Sequence, residues 1–230
     1  MNNIGKSYLL YGPPACGKST VARLLSPLLD VKYLSVGEIT REEIAKRTYD
    51  GIQLDYYLSS VLEYPADLIS RVVGNRLFQV LDDGENFILD GFPKYVGEAQ
   101  TFVSILQEKQ IKIAAVILMT ATMDEIMCRV KKRRICEKCL NQTTITSKIQ
   151  TNCEKCQGRL IIRDDDQPEY LERRYNDHLR SIYQTLDVIK PFVGPIIKVS
   201  ASFSVEVVVD NILKLLEVSP SSSAERAPVM

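Results

Sequence analysis

No run of eighteen or more apolar residues occurs anywhere in these 230 residues, so the sequence offers no membrane-spanning helix. A charge surplus is also missing. Lysine plus arginine and aspartate plus glutamate number 29 each, which removes the bulk attraction that draws a basic protein to nucleic acid or an anionic membrane; any cationic site must be local. The basic cluster Lys131 to Arg134 has no aromatic stacking run beside it, and this weighs against a zinc-ribbon nucleic-acid binder. Histidine occurs once, as His178, in a helical pattern far from the cysteines, and reads as an ordinary helix residue. There is no obvious exposed apolar repeat, so a monomer is expected. The first motif starts so near the beginning that no signal peptide fits before it, and a cytoplasmic location is expected. The length supports one solid core with room for insertions.

The motif is Gly12-Pro13-Pro14-Ala15-Cys16-Gly17-Lys18-Ser19-Thr20, which joins the apolar run Tyr8-Leu9-Leu10-Tyr11 to a helical pattern and fulfils G-x-x-x-x-G-K-[ST]. Backbone N–H groups of such a turn and of the following helix N-terminus converge where an anion can sit. Lys18 adds a full charge for the terminal phosphates. The Ser19 hydroxyl can ligate or orient the Mg2+ that accompanies a nucleoside triphosphate, with Thr20 as a second hydroxyl.

Along the chain, helical and strand patterns alternate, which predicts an α/β fold: a doubly wound parallel sheet of about five strands. Helical apolar spacing covers 21–29, with Pro27 forecasting a kink or an early end. A short strand over 32–35 runs into 36–41, where Arg41 would be a cation at the carboxyl end of a parallel strand, the edge where such sheets bind ligands. From 42 to 73 the pattern is helical but broken at Asp50-Gly51 and Tyr64-Pro65, forming a small excursion from the sheet. The apolar run 87–89 ends in Asp90, a carboxylate placed to hold Mg2+ through water, and Gly91 leaves room for a ligand near the backbone. A helix over 97–109, a buried strand over 113–119 and a helix opening on the capping-box pattern Thr122 to Glu125, ending in Arg129 to Arg134, come next. A strand over 195–199 and a helix over 204–217 close the domain, and 219–230, rich in serine and proline, is expected to be disordered.

Cys136-x-x-Cys139 and Cys153-x-x-Cys156 stand thirteen residues apart. Four thiolates at this spacing suit a tetrahedral zinc with a structural role, disulfides being the main alternative. Cys16 and Cys128 are left over. Arginines flank this insertion: Arg129, Arg133 and Arg134 lead in, while Arg163-Asp164-Asp165-Asp166-Gln167-Pro168 leads out toward Arg173 and Arg174. Such hinges suit a lid that brings cations over phosphates as it closes.

Taken in order, the P-loop, Gly37 to Arg41, Asp90-Gly91-Phe92-Pro93, Arg129 to Cys139 and Arg163 to Arg174 resemble the adenylate kinase family, in the variant with a zinc-binding lid. The likeness covers Tyr8 to about Glu217. It implies a kinase domain over 1–218 with two mobile inserts, a monophosphate-binding insert over 36–73 and a lid over 130–166. It implies an enzyme that reversibly transfers a phosphoryl group from Mg-ATP to a nucleoside monophosphate, AMP foremost. By position, residues 13–20 with Arg129 and Arg133 would bind ATP; Val36, Gly37, Arg41, Gly91, Phe92, Lys94, Glu98, Arg163 and Arg174 would bind the acceptor; Lys18, Arg129, Arg163 and Arg174 would act in transfer. The acceptor phosphate is largely ionised at neutral pH, since its second pKa is about 6, so the reaction needs alignment and charge neutralisation rather than a general base.

Three acceptor-side positions depart from the usual family pattern: Val36 for threonine, Lys94 for arginine and Glu98 for a base-reading glutamine. An ionised glutamate only accepts hydrogen bonds, which suits the neighbouring donors of guanine better than the mixed edge of adenine; a protonated one would restore adenine. A kinase for GMP or a pyrimidine monophosphate is therefore the alternative acceptor reading, and a non-catalytic nucleotide-binding scaffold or sensor the alternative class.

Overall fold

Strands buried on both faces cannot afford alternation, and the near-continuous apolar runs of this sequence form the middle of one sheet. The computed structural model describes residues 6–60, 62–139, 141–145, 150–163 and 166–217. In chain order they form β1 (Ser7–Tyr11), α1 (Lys18–Leu29), β2 (Lys32–Ser35), α2 (Val36–Lys46), α3 (Tyr49–Ser59), α4 (Ala66–Asp82), β3 (Phe87–Asp90), α5 (Val96–Glu108), β4 (Ile113–Thr120), α6 (Met123–Val130), β5 (Arg133–Cys136), β6 (Gln142–Thr144), β7 (Leu160–Ile161), α7 (Pro168–Ile189), β8 (Ile196–Ser200) and α8 (Val205–Leu215). The tail expected over 219–230, and Asp164 and Asp165 of the second hinge, lie outside the described residues. No described helix is long and apolar enough to cross a membrane.

The main sheet is parallel, in the order β2-β3-β1-β4-β8. Its strand register brings Leu10 and Ser35 level with Asp90, so three strands deliver their carboxyl ends to one rim. Alternate residues serve opposite layers. Leu9, Tyr11, Phe87, Leu89, Val116 and Leu118 join a cluster with residues of α4, α5 and α7, while Tyr8, Leu10, Ile88, Ala115, Ile117 and Met119 join one with residues of α1 and α8. In the first layer Phe92 meets Phe102 edge-on at 5.8 Å, and both are fully buried.

Three expectations change. First, α2 begins at Val36 directly after β2, so Arg41 sits mid-helix rather than before one. Second, the chain breaks at Arg47 and Thr48, not at Asp50-Gly51: Arg47 adopts a left-handed conformation, and the Thr48 hydroxyl caps α3 by accepting the Gly51 N–H at 2.9 Å. Gly51 lies inside α3 because a Cβ there would stand 2.0 Å from the Glu43 carbonyl oxygen of α2; glycine permits the crossing. Third, Arg133 and Arg134 belong not to the end of α6 but to β5, which pairs antiparallel with β6 and β7 in a separate three-stranded sheet. The α6 capping box forms, Thr122 and Glu125 each bonding the other's backbone. Pro27 is housed in the last turn of α1, which stops two residues later.

Candidate nucleotide site and cysteine cluster

The loop between β1 and α1 is held by backbone geometry that few residues tolerate. Gly17 caps α1 at φ 101°, Ala15 sits at φ 58°, and a Cβ on Gly12 would come within 2.8 Å of the Met119 carbonyl and 2.9 Å of the Cys16 sulfur. The α1 N-terminus thereby opens toward the sheet rim. The Lys18 ammonium donates to the carbonyls of Gly12 and Pro13, 2.8 Å each, so it lies along the loop rather than out in solvent. Cys16 is buried, and that burial raises its thiol pKa, leaving it a packing residue.

Asp90 ends β3 almost wholly buried. Its Oδ2 accepts the Ser19 hydroxyl at 2.9 Å and the Tyr33 phenol at 3.2 Å. A hydroxyl beside a carboxylate is a hard oxygen set of the kind Mg2+ takes. Thr20 is exposed and has no bond to this group.

Beside the loop is a cleft of 670 Å³, lined by residues Ala15 to Val21, by Arg129 and Arg133, by Thr143 and Thr144 of β6, and by Ala201, Phe203 and Val205 after β8. Arg129 leaves α6 and bonds the Cys16 carbonyl at 2.6 Å and the Ala201 carbonyl, bridging the P-loop to the last loop of the sheet. Arg133 forms a bidentate pair with Asp166, its Nε donating at 2.7 Å, and the Asp166 side chain is fully buried. Asp166, just before α7, thus anchors the Arg133 cation of β5.

A second group gathers where α2, α5 and α7 face the rim. The Arg41 guanidinium lies over Gly37, where a Cβ would approach it to 3.2 Å, and Val36 packs on the core beneath. Gly91 adopts φ 88° with open space at its Cβ position, next to buried Phe92. Lys94 donates its backbone N–H to Glu98 at 2.6 Å and its ammonium to the Tyr95 hydroxyl at 2.5 Å, and its carbonyl accepts from Thr185. Burial lowers the Lys94 pKa, with Arg174 close enough to add to that effect. Glu98 is 4% exposed, and desolvation raises its carboxyl above the usual range against the pull of the Lys94 and Tyr95 backbone N–H groups. Arg163 and Arg174 are both half-buried, Arg163 in the segment after β7 and Arg174 on α7.

The four cysteines of the small sheet are free thiols whose sulfurs all lie within 4.8 Å of one another. Contacts run across the two pairs, Cys136 to Cys156 at 3.4 Å and Cys139 to Cys153 at 3.7 Å. A tetrahedral ion with bonds of about 2.3 Å separates its sulfurs by about 3.8 Å, so the cluster has the size of a thiolate metal site. Backbone N–H groups of Cys139 and Lys138 lower the Cys136 thiol pKa, while the neighbouring sulfurs and burial raise that of Cys139, so the ion-free cluster favours one thiolate and not four. Gly158 makes room: a Cβ there would stand 2.8 Å from the Cys136 sulfur.

Sequence reasoning missed three contributors. Tyr33 carries no motif. The loop 201–205 has neither charge nor signature, and only the fold brings it to the cleft. His178 is indeed a helix residue, on α7, but it lies near enough to Lys18 and Lys94 that burial and their charges push it down to about 4, leaving a neutral imidazole beside both cations.

The adenylate kinase family model matches residues 10–197. An adenylate kinase of Pyrococcus horikoshii is 34% identical over 212 residues, covering 91% of this chain and 94% of that protein. Adenylate kinases of Kosmotoga olearia and Pyrococcus abyssi are each 32% identical over 212 residues, spanning 91% of this chain and 98% and 94% of their own lengths. With a P-loop on a parallel sheet and cations gathered at its rim, the chain belongs to the adenylate kinase family and is a phosphotransferase of nucleoside monophosphates.

Proposed function

We propose that this chain transfers the terminal phosphoryl group of ATP, as its magnesium complex, to AMP, forming two ADP, as a cytoplasmic monomer whose partners are nucleotides. The burial of Glu98 carries the acceptor assignment. Desolvation raises its pKa, and in the protonated form the carboxyl presents one acceptor and one donor, the set that the N6 and N1 edge of adenine requires, and so stands in for an amide. That relatives over most of the chain are named adenylate kinase supports the same acceptor.

Lys18, Arg129 and Arg133 serve the donor phosphates from the cleft beside the loop. Arg41, Lys94, Arg163 and Arg174 serve the acceptor phosphate and the group in transfer. Ser19 and, through water, Asp90 would hold the Mg2+ of the nucleotide, which would supply neutralisation of the phosphate charge. The cations align two anions and cancel their repulsion, and exclusion of water from the closed site keeps the phosphoryl group from hydrolysis. Cys136, Cys139, Cys153 and Cys156 would hold a structural Zn2+, a role supported by their four sulfurs lying within 4.8 Å of one another.

One observation favours a second acceptor. The 2.6 Å bond from the Lys94 N–H stabilises an ionised Glu98, which would take the paired donors of guanine. Initial rates with AMP, GMP, CMP and UMP at several pH values from about 6 upward separate the readings; the phosphate titration near 6 is common to all acceptors and cancels in their ratio. With the folded pKa of Glu98 raised, the neutral form dominates below it, so the AMP advantage over GMP shrinks as pH rises through it. Glu98→Gln should make that ratio independent of pH. Preference for GMP throughout, or a ratio whose pH response survives in Glu98→Gln, refutes the proposal.

A further inference from the structure

Asp90 is held from two elements at once. Ser19 reaches its Oδ2 from the first turn of α1, and Tyr33 reaches the same oxygen from β2. The register explains the second contact: Ser35 is level with Asp90 and Tyr33 with Ile88, so Tyr33 is the diagonal neighbour of Asp90 on the adjacent strand, within reach of a long aromatic side chain. The ring is itself fixed. The Arg23 guanidinium of α1 stands 5.3 Å from its centroid and also pairs with Glu38 of α2.

A carboxylate bonded twice through one oxygen has its plane set and its other oxygen directed. Ser19 alone leaves the group free to turn about that single bond, whereas a second donor from a different element removes the rotation. The Ser19 oxygen keeps lone pairs while its O–H donates to Asp90, so the clamp persists when that oxygen serves a metal.

We propose that Tyr33 is a positioning residue for the metal-binding carboxylate, fixing Asp90 so that its second oxygen meets the water shell of the nucleotide-bound cation. This rests on the magnesium reading above. Tyr33→Phe keeps the ring and its Arg23 contact and removes only the hydroxyl. The measurement is the Mn2+ dissociation constant of the protein–ATP complex, from water-proton relaxation, beside ATP affinity in excess chelator by calorimetry. Because the Tyr33 bond acts on the metal only through the orientation of Asp90, its loss should weaken Mn2+ by about three- to tenfold, less than the full worth of a hydrogen bond to a charged group, while metal-free ATP affinity stays within about twofold. A residue that merely supports the fold would move both constants or neither. A wild-type complex that holds Mn2+ no better than free ATP does overturns the magnesium reading and this inference together. A wild-type complex that does hold it, with a constant that Tyr33→Phe leaves unchanged, overturns this inference alone.

Discussion

Replacing Arg133 by methionine isolates one ion pair and separates two roles of the same side chain. The guanidinium meets Asp166 through two donors, and the Asp166 side chain is 0% exposed against 19% for Arg133. Removing the arginine therefore strands an anion with no route to water, and breaking a buried pair in this way costs about 3–5 kcal/mol. Removing the aspartate instead leaves a partly exposed cation on a long stem that can reach solvent, so Asp166→Leu should cost less, about 1–2 kcal/mol. The double substitution places two apolar groups together and should recover most of the loss. At about 2–4 °C per kcal/mol for a chain of this size, Arg133→Met lowers the melting temperature by about 6–20 °C. Urea unfolding of the two single variants and the double, treated as a double-mutant cycle, measures the coupling. Additive losses, or a smaller loss for Arg133→Met than for Asp166→Leu, refute the reasoning. ATP affinity provides the second axis. Arg133 also lines the donor cleft, so the double variant should regain stability while still binding ATP weakly. Recovery of both would mean that the arginine serves only the hinge.

Elemental analysis of the purified protein should find about one zinc per chain; Cys139→Ser or a strong chelator should release it and lower the melting temperature, and a metal-free protein that melts unchanged would contradict the structural role. Gly51→Ala should destabilise by about 1–3 kcal/mol in urea unfolding, because the added Cβ meets a backbone carbonyl at 2.0 Å and α2 and α3 must part. The same change at Gly74, inside α4, meets only the Ile105 Cδ1 at 3.4 Å and should be neutral or stabilising, since alanine is the better helix former. Equal effects at the two sites would mean that the crossing of α2 and α3 yields.

The parts of the fold that sequence made legible are those in which local pattern and tertiary demand coincide. The apolar runs at 87–89 and 113–119 could be read as buried strands because a sheet covered on both faces wants unbroken hydrophobicity, and the P-loop because its glycines are needed for the turn wherever the rest of the chain goes. Gly51 misled for the opposite reason. A glycine after an aspartate is a turn by local propensity, yet here the missing side chain serves a contact with α2, which no local rule contains. Arg133 and Arg134 looked like the end of α6 because charges after an amphipathic run extend a helix on paper; their pairing with Thr144 and Thr143 depends on a strand that follows later.

The site divides along the same line. Lys18, Asp90, Arg129 and the four cysteines stand at spacings that chemistry itself imposes, and these were legible. Tyr33, His178 and the loop 201–205 reach the candidate site only through what the fold brings beside them, and nothing in their neighbouring residues says so. Glu98 falls between. Its identity marks a departure that sequence could name, but its chemistry is decided by a balance between burial, which favours the neutral acid, and two backbone N–H donors, which favour the anion. Neither influence is a property of glutamate. One comes from the packing of α5 against the core and the other from the cap of that helix, so on the proposed reading of Glu98 as the base reader, acceptor choice follows from the same contacts that hold α5 in place. A substitution that loosens α5, such as one at Ala99 or Phe102 beneath it, should then alter acceptor ranking without touching a ligand group, because water reaching Glu98 removes the desolvation that raises its pKa.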